Sequence, residues 1–177
     1  MRSMAERKGN GAGMKKLVVA VMVAVVAGIA GWFVWRPVQA APDVTFASID
    51  GRKISLQDLR GKVVLVKFWA TDCVTCIKQM PETIADYNRY APQGFQTVAV
   101  AMQYDPPNYV LNFTQSRKLP FTVALDTQGK AAQAFGDVRL TPTAFLIDKQ
   151  GRIIKRYLGE YDPKEFHAQV EKALAAG

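Results

Sequence analysis

The chain has 177 residues, 49% of them apolar, which is enough for one well-packed domain and a short additional segment. Its net charge of +8 is high, but residues 1–40 carry six Lys or Arg against one Glu, a net of +5. The other basic residues are scattered and form no stripe with aromatic residues, so the charge pattern does not favour a nucleic-acid-binding protein.

The N-terminal region has the layout of a membrane anchor. Residues 17–35 contain no charge, and a helix of that length matches the ~30 Å hydrocarbon core of a bilayer. Trp32 and Trp35 lie at its far end, where amphipathic rings favour the interface. Because basic residues precede the apolar segment, we predict that residues 1–16 stay in the cytoplasm. The segment is then a single-pass signal-anchor in the inner membrane, with the following domain in the periplasm.

Two other interpretations of this region are open. Residues 38–40, Val-Gln-Ala, have the small side chains of a signal-peptidase site, and cleavage there would release a soluble domain. However, the apolar segment is longer than the roughly 7–15 residues usual in a cleaved signal. A buried helix of a soluble protein is the third interpretation, and apolar residues on every face of the segment argue against it. We therefore favour a retained anchor, followed by an oxidising compartment for the domain.

Beyond a linker at 36–42, the domain at 43–177 alternates strand and helix patterns. We predict first a hairpin turning at Asp50-Gly51, a buried strand over 62–70, and a helix over 73–90 with a kink at Pro81. A strand over 95–103, a helix from Pro106-Pro107 to about Lys118, the strand FTVALD and a short helix near 130–135 follow. The domain ends with a strand over 143–148, a turn at 149–151 into a final strand, and a last helix capped by Asp162. This alternation predicts an α/β fold, a mixed sheet with helices on both faces.

The two cysteines of the chain, Cys73 and Cys76, lie where the buried strand passes into a helix. The first turn of a helix has free N–H groups and the positive end of the helix dipole, which both favour a thiolate at Cys73. Such positions lower a cysteine pKa from about 8.5 to roughly 3.5–7.5. Cys76, one turn further on, is expected to be more buried and to attack a mixed disulfide formed through Cys73. We predict dithiol–disulfide chemistry.

Other uses of the cysteines have less support. A zinc site of the usual kind needs four ligands, and the chain has no further cysteine and one histidine, His167, in the last helix. A disulfide across two intervening residues closes too short a loop to stabilise the fold much. We therefore expect no metal and no cofactor beyond the redox-active cysteine pair, and we expect His167 to be a solvated helix residue.

Three segments together carry a resemblance to a known family: VLVKFWATDCVTC, the KQMP that follows it, and VRLTPTAFLIDKQGRIIKRYLG. They resemble the thioredoxin-like family, and within it the membrane-tethered TlpA/ResA group of extracytoplasmic thiol:disulfide oxidoreductases. The similarity spans roughly residues 43–175. It implies a thioredoxin fold with an N-terminal hairpin extension, and a protein that reduces exported client proteins in cytochrome c maturation or copper-site assembly. It also implies a transmembrane electron donor of the DsbD/CcdA type.

The resemblance assigns roles to individual residues. Cys73 corresponds to the nucleophile and Cys76 to the resolving thiol. Pro142 corresponds to the family's cis-proline beside the dithiol, and the backbone of Thr141 before it would pair with an extended substrate segment. The alternative for Pro142 is a trans proline at the start of a strand. Trp69 would pack near the site and bind substrate, or it is a core aromatic residue.

Five residues near the cysteines depart from the family pattern. Asp72 stands where the group usually has Trp, Val74-Thr75 lack the usual Pro, and Gln79 replaces a frequent Glu. Lys67 occupies a strand position where thioredoxins have a buried Asp and this group often has Asn. The Lys67 ammonium either offsets Asp72 and keeps Cys73 ionised, or extends to solvent without a role at the site. The reduction potential and the direction of electron flow therefore stay open.

Other functions share this architecture. A Sco-like copper-binding assembly factor could bind Cu(I) with two thiolates, but that group spaces its cysteines by three residues and adds a histidine. A thiol peroxidase would need a characteristic Pro and Thr before its cysteine, and no such proline precedes Cys73. A general oxidase differs from a reductase in its potential alone.

Overall fold

The computed structural model of the chain describes residues 17–19, 21–22, 24–26, 28 and 39–176. The predicted cytoplasmic residues 1–16 lie outside this set, as do much of the predicted anchor at 17–35 and the first part of the linker at 36–42. The described residues within 17–28 are helical. Among all described residues, no helix combines the length and apolarity needed to cross a membrane. The chain forms two compact units, residues 1–37 and 38–177.

Within residues 39–176, seven strands form one mixed sheet. They are β1 (Thr45–Ser48), β2 (Lys53–Ser55), β3 (Val63–Trp69), β4 (Phe95–Ala101), β5 (Thr122–Leu125), β6 (Thr143–Ile147) and β7 (Ile153–Leu158). Their spatial order is β2-β1-β5-β4-β3-β6-β7. The central strands β3, β4 and β5 are parallel, and β6 and β7 continue antiparallel. At the other edge β1 pairs antiparallel with β2 and β5.

Helices connect and cover these strands. They are α1 (Val74–Tyr90), α2 (Pro107–Arg117), α3 (Lys130–Ala134) and α4 (Pro163–Ala175), with 3₁₀ turns at Gln57–Leu59 and Ala91–Gln93. The predicted N-cap of α4 is confirmed, since the Asp162 carboxylate accepts a 2.8 Å hydrogen bond from the Glu165 N–H. Pro163 follows at the first helical position, where it has no N–H to leave unpaired.

Strand β3 lies at the centre of the core, and all seven of its residues are buried. Its alternating side chains serve two apolar layers. Val64, Val66 and Phe68 pack in a cluster that also contains Phe135 and Phe145. On the opposite face Val63 and Leu65 pack with α1 and α4, and Trp69 packs with the first turns of α1. This burial on both faces explains the continuous apolar pattern of the strand, which Lys67 alone interrupts.

Three loops meet at one end of the strands, where β3 and β4 end and β6 begins. Trp69 at the end of β3 is opposite Ala101 at the end of the parallel strand β4. Phe68 is also opposite Thr143, the first residue of the antiparallel strand β6. Residues 70–73, 102–106 and 140–142 therefore lie side by side, since all three follow or precede strand ends at the same edge. In parallel sheets this carboxyl edge is where functional sites are built.

Candidate active site

Cys73 and Cys76 form a disulfide at the N-terminus of α1, with their Cα atoms 5.2 Å apart. Cys73 is the N-cap residue of the helix, and its sulfur accepts a 3.2 Å hydrogen bond from the Cys76 N–H. The predicted passage from a buried strand into a helix at the cysteines is therefore confirmed. After reduction, the same N–H and the helix dipole stabilise a thiolate on Cys73.

The two sulfurs differ in their access to solvent. Cys76 has no exposed surface and belongs to an apolar cluster with Trp69 and Met80, whereas Cys73 is only partly buried. An incoming thiol or disulfide therefore reaches Cys73 first. Cys76 lies behind it, in direct bonding contact with the Cys73 sulfur.

Asp105 holds the loop that leads to Cys73. Its carboxylate accepts hydrogen bonds from the Thr71 N–H at 2.7 Å and from the Thr71 hydroxyl at 2.6 Å, and the residue is 5% exposed. Asp105 was not among the predicted site residues. The available signal was its place in the loop after β4, since β3 and β4 are parallel neighbours and their following loops lie at the same end of the sheet.

The Thr141–Pro142 peptide bond is cis, as the resemblance implies. Pro142 is buried, and its carbonyl accepts a 2.8 Å hydrogen bond from the Gly159 N–H. Thr141 is partly exposed, and its hydroxyl lies 3.4 Å from the Tyr104 hydroxyl on the loop after β4. Among the described residues, the backbone N–H and C=O of Thr141 make no hydrogen bond to another backbone group.

Trp69 is fully buried, with its ring centroid 5.3 Å from that of Phe113. It packs in the same cluster as Cys76. The structure therefore corrects the prediction that Trp69 binds substrate directly and favours the alternative of a core aromatic residue beside the site. Its Nε1 has no hydrogen-bond partner within the described part of the chain.

Lys67 is fully buried, so the interpretation in which it extends to solvent is wrong. Its ammonium donates hydrogen bonds of 2.9 Å to Gln79 Oε1 and 2.8 Å to Thr83 Oγ1, both on α1. It also lies 5.6 Å from the centroid of the Tyr161 ring. Burial lowers the pKa of Lys67 to about 7, and the attraction of the Asp86 carboxylate opposes that shift. A buried group that titrates near neutral pH thus lies behind the first turns of the cysteine helix.

Asp72 is exposed on the other side of the site. Together with Thr71, Val74, Ile77 and Lys78 it lines a shallow cavity of about 380 Å³ beside the disulfide. Val74, between the cysteines, is 81% exposed. Lys67 and Asp72, the two charged residues that depart from the family pattern, thus have opposite environments. Lys67 lies in the core, and Asp72 is exposed to solvent.

His167 differs from the solvated helix residue that we expected. Its side chain is 26% exposed, and its Nε2 lies 2.7 Å from Asp86 Oδ1. The Asp86 side chain is 3% exposed. Sequence periodicity could not reveal this pair, because the two residues are 81 positions apart and meet only where α1 packs against α4.

Fold and site together define the class of this protein. A thioredoxin-like sheet presents a cysteine pair at a helix N-terminus, with one sulfur accessible and the other buried behind it. A site of this kind exchanges disulfides with other thiols.

Comparison with known proteins narrows the assignment. Residues 37–174 match the family model described as Redoxin. The chain is 34% identical over 132 residues to thiol-disulfide oxidoreductase ResA of Bacillus thuringiensis subsp. konkukian, covering 75% of each chain. It is similar to the structure of a candidate thioredoxin from Neisseria meningitidis, with a TM-score of 0.73, 36% identity and coverage of 78% of this chain and 93% of that one. The pneumococcal exposed lipoprotein thioredoxin from Streptococcus pneumoniae is also similar, with a TM-score of 0.64, 25% identity and coverage of 73% and 98%.

The chain belongs to the redoxin family, and it is a thioredoxin-like disulfide oxidoreductase of the ResA type.

Proposed function

We propose that this protein is a membrane-tethered reductase that acts outside the cytoplasm on specific exported proteins with paired cysteines. The observation that carries the proposal is the asymmetry of the disulfide, in which Cys73 is accessible and Cys76 has no exposed surface. The similarity to ResA supports the chemistry. We propose that the clients are proteins of cytochrome c maturation or copper-site assembly.

The proposed reaction begins with the reduced protein. The Cys73 thiolate attacks the client disulfide, so that a Cys73–client disulfide forms, the client S–S bond breaks, and one client sulfur leaves as a thiolate that takes up a proton. Cys76, as a thiolate, then attacks Cys73. The Cys73–Cys76 disulfide forms and the second client sulfur leaves, so the client gains two electrons and this protein loses them.

A dithiol donor must reduce the Cys73–Cys76 disulfide before the next cycle. We propose a transmembrane electron donor of the DsbD/CcdA type, because thiol–disulfide exchange with a second cysteine pair balances both electrons without any bound cofactor. The accessible Cys73 is the sulfur that such a donor would attack first.

Thr141 is proposed to bind the client backbone. Its partial exposure and its backbone groups, which pair with no other backbone group among the described residues, support backbone pairing with an extended client segment beside this loop. Pro142 fixes this loop where β6 begins, next to the end of β3. The exposed side chains of Leu140 and Val74, at 63% and 81%, then contact apolar residues around the client cysteine.

Lys67 and Asp72 are proposed to tune the cysteines. The buried Lys67 ammonium favours a thiolate nearby, while the Asp72 carboxylate next to Cys73 disfavours one. Solvent around the exposed Asp72 screens its charge, so we propose that Lys67 has a larger effect than Asp72 on the ionisation of the cysteines.

The proposed location is the inner membrane, with the N-terminus in the cytoplasm and the domain in the periplasm. Support comes from the basic residues before 17 and the uncharged apolar segment 17–35. One similar structure is that of a pneumococcal exposed lipoprotein thioredoxin, which is in keeping with this location. Fusion of an alkaline phosphatase reporter after residue 177 tests the location, since that enzyme folds only in an oxidising compartment.

The decisive experiment for the reductase function equilibrates the purified full-length protein with glutathione buffers and measures the fraction of Cys73–Cys76 disulfide. A reduction potential near or below about −270 mV, well below an oxidising compartment's poise, supports a reductase with a dedicated donor. A potential near about −120 mV would overturn the proposal and assign the protein as an oxidase.

A further inference from the structure

Three potential metal ligands meet where α1 packs against α4. Glu82 and Asp86 lie one turn apart on α1, and His167 lies on α4. One ligand atom from each side chain lies within 4.8 Å of the other two. Asp86 is ten residues beyond Cys76 along the helix, or about 15 Å at 1.5 Å per residue, so this cluster is separate from the dithiol.

The distances within the cluster fit a small cation. Ligands bound at about 2.0–2.2 Å in a tetrahedral zinc site lie about 3.3 Å from one another. His167 Nε2 is 2.7 Å from Asp86 Oδ1 and 4.0 Å from Glu82 Oε1, so the two distances bracket that value. Binding would therefore require the His167–Asp86 pair to open by about 0.6 Å and the Glu82 side chain, which is 42% exposed, to move closer by a similar amount.

Asp86 supplies a second observation that points to a ligand. Its side chain is 3% exposed, and Oδ2 is buried with no hydrogen-bond partner among the described residues. A buried carboxylate oxygen without a hydrogen bond is costly, and a bound cation would satisfy it. The Lys67 ammonium attracts the Asp86 carboxylate, but it donates its hydrogen bonds to Gln79 and Thr83 and gives none to Asp86 Oδ2.

His167 and Glu82 are both held near Asp86 and accessible from solvent. The His167 ring is held between aromatic neighbours, with centroids 5.8 Å from Tyr90 and 6.2 Å from Phe166. Its side chain remains 26% exposed and that of Glu82 42%, so an ion can enter from solvent and keep water in its remaining positions. Two like charges one helical turn apart, Glu82 and Asp86, also favour a cation between them.

We propose that Glu82, Asp86 and His167 bind one divalent transition-metal ion, which links α1 to α4. Imidazole and carboxylate ligands suit Zn²⁺ and its first-row neighbours, and three protein ligands leave at least one position for water. The competing explanation is that a protonated His167 alone pairs with the two carboxylates. Metal binding and a simple ion pair make different predictions for the imidazole nitrogens.

The test titrates Zn²⁺ into the purified full-length protein, prepared without a histidine tag and with the Cys73–Cys76 disulfide intact so that no thiolate can bind the metal. Calorimetry gives the affinity and stoichiometry. Because His167 is the one histidine of the sequence, its ¹⁵N imidazole signals can be assigned without ambiguity. The variants are Glu82→Gln and His167→Gln. Glu165→Gln is the matched control, since its side chain is 44% exposed on α4 and pairs with Lys155.

The proposal expects one Zn²⁺ per chain with a dissociation constant of about 10 μM or tighter, at least tenfold weaker in Glu82→Gln and His167→Gln and unchanged in Glu165→Gln. It also expects Nε2 of His167 to shift as a metal-bound nitrogen. No saturable binding, equal binding in all variants, or unchanged imidazole signals would each overturn it in favour of the ion pair. These outcomes are independent of the reductase function, because the titrated protein stays oxidised.

Discussion

The ammonium of Lys67 donates a 2.9 Å hydrogen bond to the side-chain oxygen of Gln79 inside the core. Both residues depart from the pattern of the family, in which acidic residues or Asn are usual at these positions. The two departures are in direct contact, because the side-chain amide oxygen of Gln79 accepts the hydrogen bond that Lys67 donates. A buried cation with neutral hydrogen-bond partners thus replaces acidic groups behind the cysteine helix.

Stability is expected to depend on pH through Lys67. In the fold its pKa is about 7, whereas in an unfolded chain it is about 10.4, so between these values the unfolded state binds the extra proton. The free energy of unfolding should therefore rise between pH 7 and 10, by up to about 1.4 kcal/mol per pH unit. Below pH 7 Lys67 is protonated in both states, so it should add no dependence on pH there. Denaturant unfolding of the wild type and Lys67→Met across this range measures the difference.

Lys78→Met is the control for that experiment, because the Lys78 side chain is 71% exposed. It should show the same slope with pH as the wild type. A Lys67→Met variant with an unchanged slope would show that Lys67 titrates in the fold as it does in the unfolded chain.

The different access to the two sulfurs predicts different behaviour of single cysteine variants. Cys76→Ser should accumulate a mixed disulfide between Cys73 and a disulfide-bonded model peptide, because the resolving thiol is missing. Cys73→Ser should accumulate at least tenfold less, since Cys76 has no exposed surface. Mass spectrometry under non-reducing conditions measures both adducts. Equal trapping by the two variants would contradict the assignment of Cys73 as the nucleophile.

The charges of Asp72 and Lys67 are expected to move the Cys73 pKa in opposite directions. Asp72→Asn removes a negative neighbour and should lower the pKa of the Cys73 thiol, whereas Lys67→Met removes a positive charge and should raise it. Titration of thiolate absorbance in the reduced variants checks this. If neither variant moves the titration, neither charge tunes the site.

Asp105→Asn should destabilise the loop before the cysteines. An amide has one acceptor oxygen, so it can keep the bond from the Thr71 N–H, but the Thr71 hydroxyl must then accept from the amide N–H. Both charge-assisted bonds are thus lost in a site where Asp105 is 5% exposed. We expect a loss of about 1–3 kcal/mol in the free energy of unfolding. Asp58→Asn is the control, because its hydrogen bond to the Ser55 N–H is exposed and should matter little.

A double variant separates the Thr71–Asp105 interaction from the cost of each substitution. Thr71→Val removes the hydroxyl partner, so its effect should be smaller when Asp105 is already Asn. Strictly additive effects in denaturant unfolding would show that the two side chains do not interact.

Much of the fold could be predicted because its signals are local. The apolar pattern of β3, in which Lys67 is the one charged residue, the prolines that open α2 and α4, and the Asp162 cap each depend on neighbouring residues in the chain. The cysteine pair could be placed at a helix N-terminus for the same reason. The contacts of Lys67 and the support of Thr71 by Asp105 were not predictable in this way, since their partners lie 12 to 34 positions away.

The amino-acid sequence by itself determined the redox pair, its strand-to-helix setting and the order of the elements, because spacing and hydrophobic periodicity act over a few residues. The position of Cys76 one turn into the helix also predicted that it is the more buried sulfur, which the structure confirms. Only the tertiary structure decided that Trp69 and Lys67 are buried, and that His167 contacts Asp86. The physical reason is that burial and electrostatic environment come from elements distant in the chain. A lysine in an apolar strand can extend to solvent or remain inside, and the packing of α1 and α4 over β3 decides between them.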